Sequence, residues 1–425
     1  MQKKRIFILG GGISGLSLAY YLAKRKDLYE IHLIEKNERP GGWIDSDDST
    51  GFFFEKGPRV FRSSKSKEFL SLAAEIGMDK ELVGCSPHAK KRYLWREGKL
   101  RQAPILSWGL IKGVLRDLTV KPKIGQDESV WEFACRRFNA QVARDVFDPL
   151  VTGIYGGSMR EISISLGFPQ FKALEEKYGS VIKGFFKMPR YRGPRLFSFQ
   201  RGMKSFIKKL EECTPIHFHY GEEITSIQSQ EEGFELKTSQ NIYEADYLFS
   251  ALPCHVIGRL LLPQLLHISL QGTTLVHLGY HKKVLKKKGF GYLVGSQEKE
   301  DILGVVFDSN AFSSFNRLPQ ETRLTVMLKS DDLSDGEARD LAIKALRKHL
   351  KIKEQPDVSM VLSAPKVFPQ LKVGHDKILK EVEAVTQQKY PRLKLVGNYF
   401  YGVGVNDCIA RAKSVSEIFL RETAS

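Results

Sequence analysis

Apolar residues recur along this chain in two rhythms, and the first change of rhythm comes at once. Arg5-Ile6-Phe7-Ile8-Leu9 is a short, unbroken apolar run that predicts a buried strand. Leu16, Ala19, Tyr20 and Ala23 then follow at helical spacing, and Gly10-Gly11-Gly12-Ile13-Ser14-Gly15 lies between run and helix. Glu30-Ile31-His32-Leu33-Ile34-Glu35 predicts a second strand, and residues 65–84 a helix ending at Gly77. Residues 126–190 continue helical, broken at Pro149, Gly153, Gly156-Gly157 and Pro169. Strand signals return from 196: Phe197–Phe199, then a helix from Phe206 to Leu210, then a strand pair at Glu223–Ile227 and Phe234–Thr238. Tyr247–Pro253 is expected to close a nucleotide-binding sheet. Thr274–Tyr280, Gly291–Val294, Ile302–Phe307 and Leu324–Leu328 predict further strands, and Glu337–Leu350 a helix. Leu393–Val396 leads through Tyr401-Gly402-Val403-Gly404-Val405-Asn406-Asp407 into a last helix.

The glycines between the first strand and helix read G-x-G-x-x-G, with Gly10 for the tight turn. Gly12 admits a pyrophosphate close to backbone, and Gly15 lets helix and strand pack closely. The helix N-terminus then offers N–H groups and a positive dipole end to phosphate. Glu35 lies about 20 residues beyond Gly15, where a carboxylate grips a ribose 2′-OH and favours an unphosphorylated ribose. This fingerprint does not separate FAD from NAD. Gly41-Gly42-Trp43, after the acid, lets the chain pass close to a dinucleotide and points to a flavoprotein. Gly57-Pro58 presents Arg59 on a rigid turn, a natural carboxylate clamp. The glycines of Tyr401–Asp407 repeat the logic of the start, so one long cofactor bound at both ends, as FAD is, becomes the expectation.

The chain has 425 residues, enough for two or three domains, and a formal net charge of +17. That surplus suits anionic membranes, nucleic acid or an acidic small molecule. It is densest in residues 86–125, where ten basic residues face two acids, Glu97 and Asp117. Inside that window Ile105–Arg116 is apolar with one Trp and a few cations, a pattern shared by membrane-interface helices and core helices. The five cysteines are scattered without a C-x-x-C, which favours a reducing, cytoplasmic compartment. No histidine spacing supports a metal site, and His217-x-His219 reads as part of a strand. No apolar run approaches the roughly 20 residues that span a bilayer. The glycines also break the basic, apolar N-terminus where a signal peptide would continue. A soluble or membrane-surface protein is expected, and the absence of a convincing catalytic dyad argues against a hydrolase.

Together these motifs resemble the oxygen-dependent, FAD-containing protoporphyrinogen oxidases, including the bacterial enzymes that act on coproporphyrinogen III. Phe54-Glu55-Lys56-Gly57-Pro58-Arg59, Thr152-Gly153-Ile154-Tyr155-Gly156-Gly157, Lys288–Val294 and Tyr401–Ile409 carry the likeness in order along nearly the whole chain. The resemblance implies an α/β fold with α+β parts, like that of monoamine oxidase, with two dinucleotide-binding motifs. Residues 1–84, 197–257 and 393–425 would form the FAD-binding domain, 85–196 a helical membrane-associated lobe, and 258–392 a mixed-sheet substrate domain. FAD, bound non-covalently, would contact Gly10, Gly11, Gly12, Ile13, Ser14, Gly15, Glu35, Lys36, Gly42, Trp43, Gly57, Pro58, Arg59, Val60, Ile224, Val403, Gly404 and Val405. Arg59 would pair with a substrate propionate, Gly153 would line the site, and Leu293, Val306 and Met327 would pack on the macrocycle.

The implied reaction removes six electrons from a porphyrinogen, two per flavin cycle, with O₂ as acceptor and hydrogen peroxide as by-product. The flavin carries that chemistry, so no catalytic side chain and no metal is expected. Implied partners are a tetrapyrrole and molecular oxygen, not nucleic acid; residues 100–118 would touch the inner face of the cytoplasmic membrane, and a homodimer is allowed. Three readings compete: a flavin amine oxidase, a carotenoid desaturase, and a non-catalytic flavin-dependent module that binds membranes or nucleic acid. The choice between the vinyl- and the propionate-bearing porphyrinogen stays open.

Overall fold

The computed structural model describes residues 3–188 and 195–423. The apolar run becomes the strand Lys4–Leu9, at the centre of a five-stranded parallel sheet. Its neighbours are Tyr29–Glu35 and Tyr247–Ser250, and His217–Tyr220 and Leu393–Leu395 form the edges. Alternate side chains enter different cores, which is why the run is apolar without a break. Ile6 and Ile8 pack with Leu18, Leu22 and Phe419, while Phe7 and Leu9 pack with Phe234, Leu236 and Leu248. The first helix, Ile13–Ala23, lies against the last, Val405–Glu422.

A second sheet has seven strands, in the order Val358–Pro369, Leu270–Tyr280, Thr322–Leu328, Ile302–Val306, Gly291–Val294, Arg92–Arg96 and Lys99–Gln102. One face carries Val276, Leu278, Leu324, Val326 and Val294 into a core closed by Ala338, Ala342 and Leu346 of the helix Asp335–Leu350. The other face turns towards the first sheet.

Three regions depart from the sequence expectation. Residues 92–102, expected in the helical lobe, join this sheet as a hairpin, Arg92–Arg96 pairing in parallel with Gly291–Val294; a partner two hundred residues away leaves no local sign. The helices of the lobe begin only at Trp108. Leu262, Leu265, Leu379 and Val382, expected in the substrate domain, pack instead in the core of the five-stranded sheet, the last two from an unforeseen helix, His375–Lys389. The stretch 65–84 keeps a helix only over Lys67–Glu75, and Leu82–Gly84 pairs as a strand with Leu196–Phe199. Residues 189–194, assigned to the helical lobe, lie outside the described residues.

The lobe's first helix, Trp108–Asp117, is rooted at both ends. A Cβ on Gly109 would fall 1.8 Å from Gln141 Oε1, and one on Gly113 would fall 2.7 Å from Val142, so these glycines let the helix press onto its neighbour. At its C-terminal end, fully buried Asp117 accepts from Arg137 Nε at 2.7 Å and from the Ile182 N–H at 2.9 Å. The opposite face is apolar and open: Leu106 is 82% exposed, Trp108 79%, and Phe186 of the helix Val181–Lys187 86%. Among the described residues no helix is long and apolar enough to cross a membrane.

Candidate active site

The first helix starts without help. Gly12 is its N-cap, no side chain bonds its first N–H groups, and no acid occupies its first turn. Such an end attracts a phosphate. A Cβ on Gly12 would meet nothing within 4 Å, whereas one on Gly15 would fall 1.9 Å from the Gly10 carbonyl. Gly12 thus keeps space open for a ligand, and Gly15 keeps helix and strand in contact. Glu35 is buried; its Oε2 accepts the Gly11 N–H at 2.7 Å and its Oε1 the Asn37 N–H at 3.0 Å. A Cβ on Gly42 would lie 3.3 Å from Gly12 Cα, so the second glycine pair closes over the first.

This turn opens into a cavity of about 1720 Å³ shared by both sheets and the lobe, larger than the roughly 300–1,000 Å³ of ordinary ligand pockets. Gly10, Gly12, Ile13, Ser14, Glu35, Lys36, Gly42, Trp43, Gly57, Pro58, Arg59, Val60, Ile224, Val403, Gly404 and Val405 all reach its wall. Gly153, Leu293, Val306 and Met327 do too, while Gly11 and Gly15 stand behind the wall. Register explains the apolar side. Leu293 pairs with Gly304 and Gly304 with Met327, so the three lie in one row. The missing side chain at Gly304 leaves room for Leu293, and a Cβ on Gly153 would come 2.6 Å from Leu293 Cδ2.

Arg59 reaches the wall with its charge largely met. Its Nη1 donates to Asp308 Oδ1 at 3.1 Å and to Thr325 Oγ1 at 2.5 Å, and Thr325 donates to Asp308 Oδ2 at 2.7 Å. His277 Nδ1 lies 2.9 Å from the same hydroxyl. That hydroxyl has one proton and gives it to Asp308, so His277 must be the donor and its buried Nε2 is a bare acceptor. Nearby Glu55 accepts from Ser46 at 2.7 Å and from the Met203 N–H at 2.9 Å, yet burial pushes its carboxyl up to about 7.

The cations open to the cavity are others. Arg62, Lys90 and Arg92 line it, and among the described residues no carboxylate pairs with any of them. Arg92 lies over the Phe290 ring at 5.2 Å, and burial followed by Arg62 lowers its pKa. By contrast, the lining acids Asp45 and Asp145 are ion-paired to Lys56 and Arg96, and Glu222 is bonded by Thr238, Asn241 and Tyr243. Sequence reasoning missed this cluster because residues 62 and 90–92 meet only through the fold; the basic density of 86–125 was its one visible sign.

Cys408 also reaches the cavity. It is fully buried beside Ser14, and burial pushes its thiol up to about 11. Among the described residues no cluster of His, Cys, Asp or Glu is placed to hold a metal ion.

The described cradle fits a dinucleotide: uncapped N–H groups, a ligand-sized gap at Gly12 and a carboxylate at the end of the second strand. Comparison with known proteins agrees. Protoporphyrinogen oxidase of Bos taurus is 32% identical over 97% of this chain and 98% of its own length. Coproporphyrinogen III oxidase of Staphylococcus aureus (strain NCTC 8325 / PS 47) is 27% identical, with 99% of each chain covered. A crystal structure from Exiguobacterium sp. 255-15 superposes with a TM-score of 0.87 at 25% identity, covering 99% of this chain and 100% of that one. The sequence pattern of the flavin containing amine oxidoreductases matches residues 13–418, and the chain belongs to that family.

Proposed function

We propose that this protein is an FAD- and O₂-dependent porphyrinogen oxidase of haem biosynthesis, taking six electrons from protoporphyrinogen IX or coproporphyrinogen III. The carrying observation is the pairing of an aliphatic wall (Leu293, Val306, Met327) with cations that have no carboxylate partner among the described residues, in a cavity that opens onto the first glycine turn. A reduced tetrapyrrole has this composition, an apolar ring with carboxylates at its rim. Bound flavin would supply the two-electron chemistry. The chain's part is to orient the ring and hold its carboxylates. We assign the propionate contacts to Arg62, Lys90 and Arg92 rather than to Arg59, whose charge Asp308 already balances. Non-covalent attachment is supported by Cys408, a buried thiol held in its protonated form. A cytoplasmic protein resting on the membrane through Leu106, Trp108 and Phe186 fits the exposed apolar face.

The test is porphyrin fluorescence growth in air from each porphyrinogen, against an enzyme-free control for autoxidation. Enzyme-dependent growth is expected, and no growth from either substrate by flavin-loaded protein would overturn the proposal. Arg92→Gln is expected to raise KM about tenfold with kcat and FAD affinity little changed, the signature of a lost charge-assisted contact.

A further inference from the structure

Among the described residues, four other than glycine hold a positive φ: Glu97, Lys299, Lys351 and Lys366. Three have local reasons. Glu97 sits in the tight turn joining Arg92–Arg96 to Lys99–Gln102, and Lys299 and Lys351 each close a helical segment. Lys366 closes nothing. It holds φ +52° inside the strand Val358–Pro369. There the ladder with Leu270–Tyr280 slips: Ala364 faces Thr273 and Phe368 faces Gln271, so Pro365, Lys366 and Val367 stand against Gly272 alone. Bulges re-aim side chains and gather beside active sites, and backbone held in a sparsely populated region persists only where its surroundings demand it.

All three bulged residues line the cavity, and Asn398 Nδ2 holds the Val367 carbonyl at 3.2 Å. The bulge is thereby fastened to the segment that follows the last strand of the dinucleotide sheet. Among the described residues the side chain of Lys366 has no ion pair or hydrogen bond, and neither has that of Lys36, which follows Glu35. His255 lines the same wall, with Nδ1 buried and unpartnered. Burial, then Lys366, Arg259 and Lys36, keep its pKa below the usual histidine value. Two free ammonium groups and an unsatisfied imidazole therefore share one wall.

On the reading that this cavity binds FAD, we infer that Lys366, with Lys36 and His255, holds the phosphate charge of the dinucleotide together with the first glycine turn. The first helix would offer N–H groups to the pyrophosphate, and the bulge of the other sheet would add a lysine to the same site.

The experiment titrates flavin-free, full-length protein with FAD, ADP and adenosine, following protein fluorescence. It compares wild type with Lys366→Gln and Lys366→Gly; the glycine keeps the left-handed turn without strain while removing the charge. Both variants should bind FAD and ADP about tenfold or more weakly, with adenosine affinity unchanged. Equal ADP affinity in all three proteins would overturn the inference, as would a matching loss for adenosine, which carries no phosphate. Wild type that binds neither FAD nor ADP would instead remove the cofactor reading on which it rests.

Discussion

The helix that begins after Gly12 starts with its first N–H groups unclaimed, while the helix that begins after Gly404 starts with one already taken. Asp407 turns back and accepts the Gly404 N–H at 3.2 Å. Its carboxyl fills the hollow of the turn so closely that a Cβ on Gly402 would come 2.4 Å from Asp407 Oδ2. Burial pushes that carboxyl's pKa up. The first turn is therefore an electrophilic socket, and the second brings Val403–Val405 to the cavity with its dipole end already answered. On the proposed reading, two strand-to-helix turns of similar composition would serve different halves of the cofactor: its charged middle the first, its uncharged ring the second.

The contrast is most severely tested by Gly15→Ala against Gly404→Ala. The new methyl at 15 would sit 1.9 Å from the Gly10 carbonyl, which is backbone and cannot step aside, so a loss of about 3–5 kcal/mol in urea unfolding and of bound flavin is expected. At 404 it would meet the end of Asp407 at 2.9 Å, and a movable side chain should limit the loss to about 1 kcal/mol. Equal losses would erase the distinction. Next comes Gly12→Ala, where the methyl enters open space and the backbone already lies at φ −63°. Thermal unfolding of the flavin-free protein should not move, while FAD affinity should fall on the order of 100-fold, about 2.7 kcal/mol. The smallest effect is that of Asp407→Asn. A carboxyl whose folded pKa is raised binds its proton more tightly folded than unfolded, so the charged form weakens the fold at neutral pH and relief comes as pH falls. The variant should be more stable than wild type by up to about 1 kcal/mol at neutral pH, and stability curves that fail to converge towards pH 4 would deny Asp407 this role.

What sequence could convey follows the same division. Gly10, Gly12 and Gly15 are demanded by backbone geometry over six residues, so the first cradle is legible from spacing alone. The Asp407 return is a choice of side-chain direction, invisible in a string of letters. The aliphatic residues Leu293 and Met327 came from the family resemblance, and only the pairing of their strands through Gly304 sets them in one row. Arg92 was not legible, since its meaning depends on pairing with Gly291–Val294 and on an arginine thirty residues earlier. Arg59 was found in place, but its pairing with Asp308 and Thr325 was not, since these arrive from a short helix and a strand more than two hundred residues away. Lys366 looked like any surface lysine until its φ was known.

The strand Lys4–Leu9 has a consequence for biogenesis. It is made first, yet its partner at Tyr247–Ser250 emerges only after most of the helical lobe, and the edge strand Leu393–Leu395 later still. A chain leaving the ribosome therefore carries an apolar strand with one side unpaired through more than half of its synthesis. The first helix waits longer still, for the last helix against which it packs. Such non-local closure is slow and exposes sticky edges meanwhile. The part of the molecule easiest to read at the start of translation is among the last to acquire its final shape, and expression yield should depend on what shields that strand in the interval.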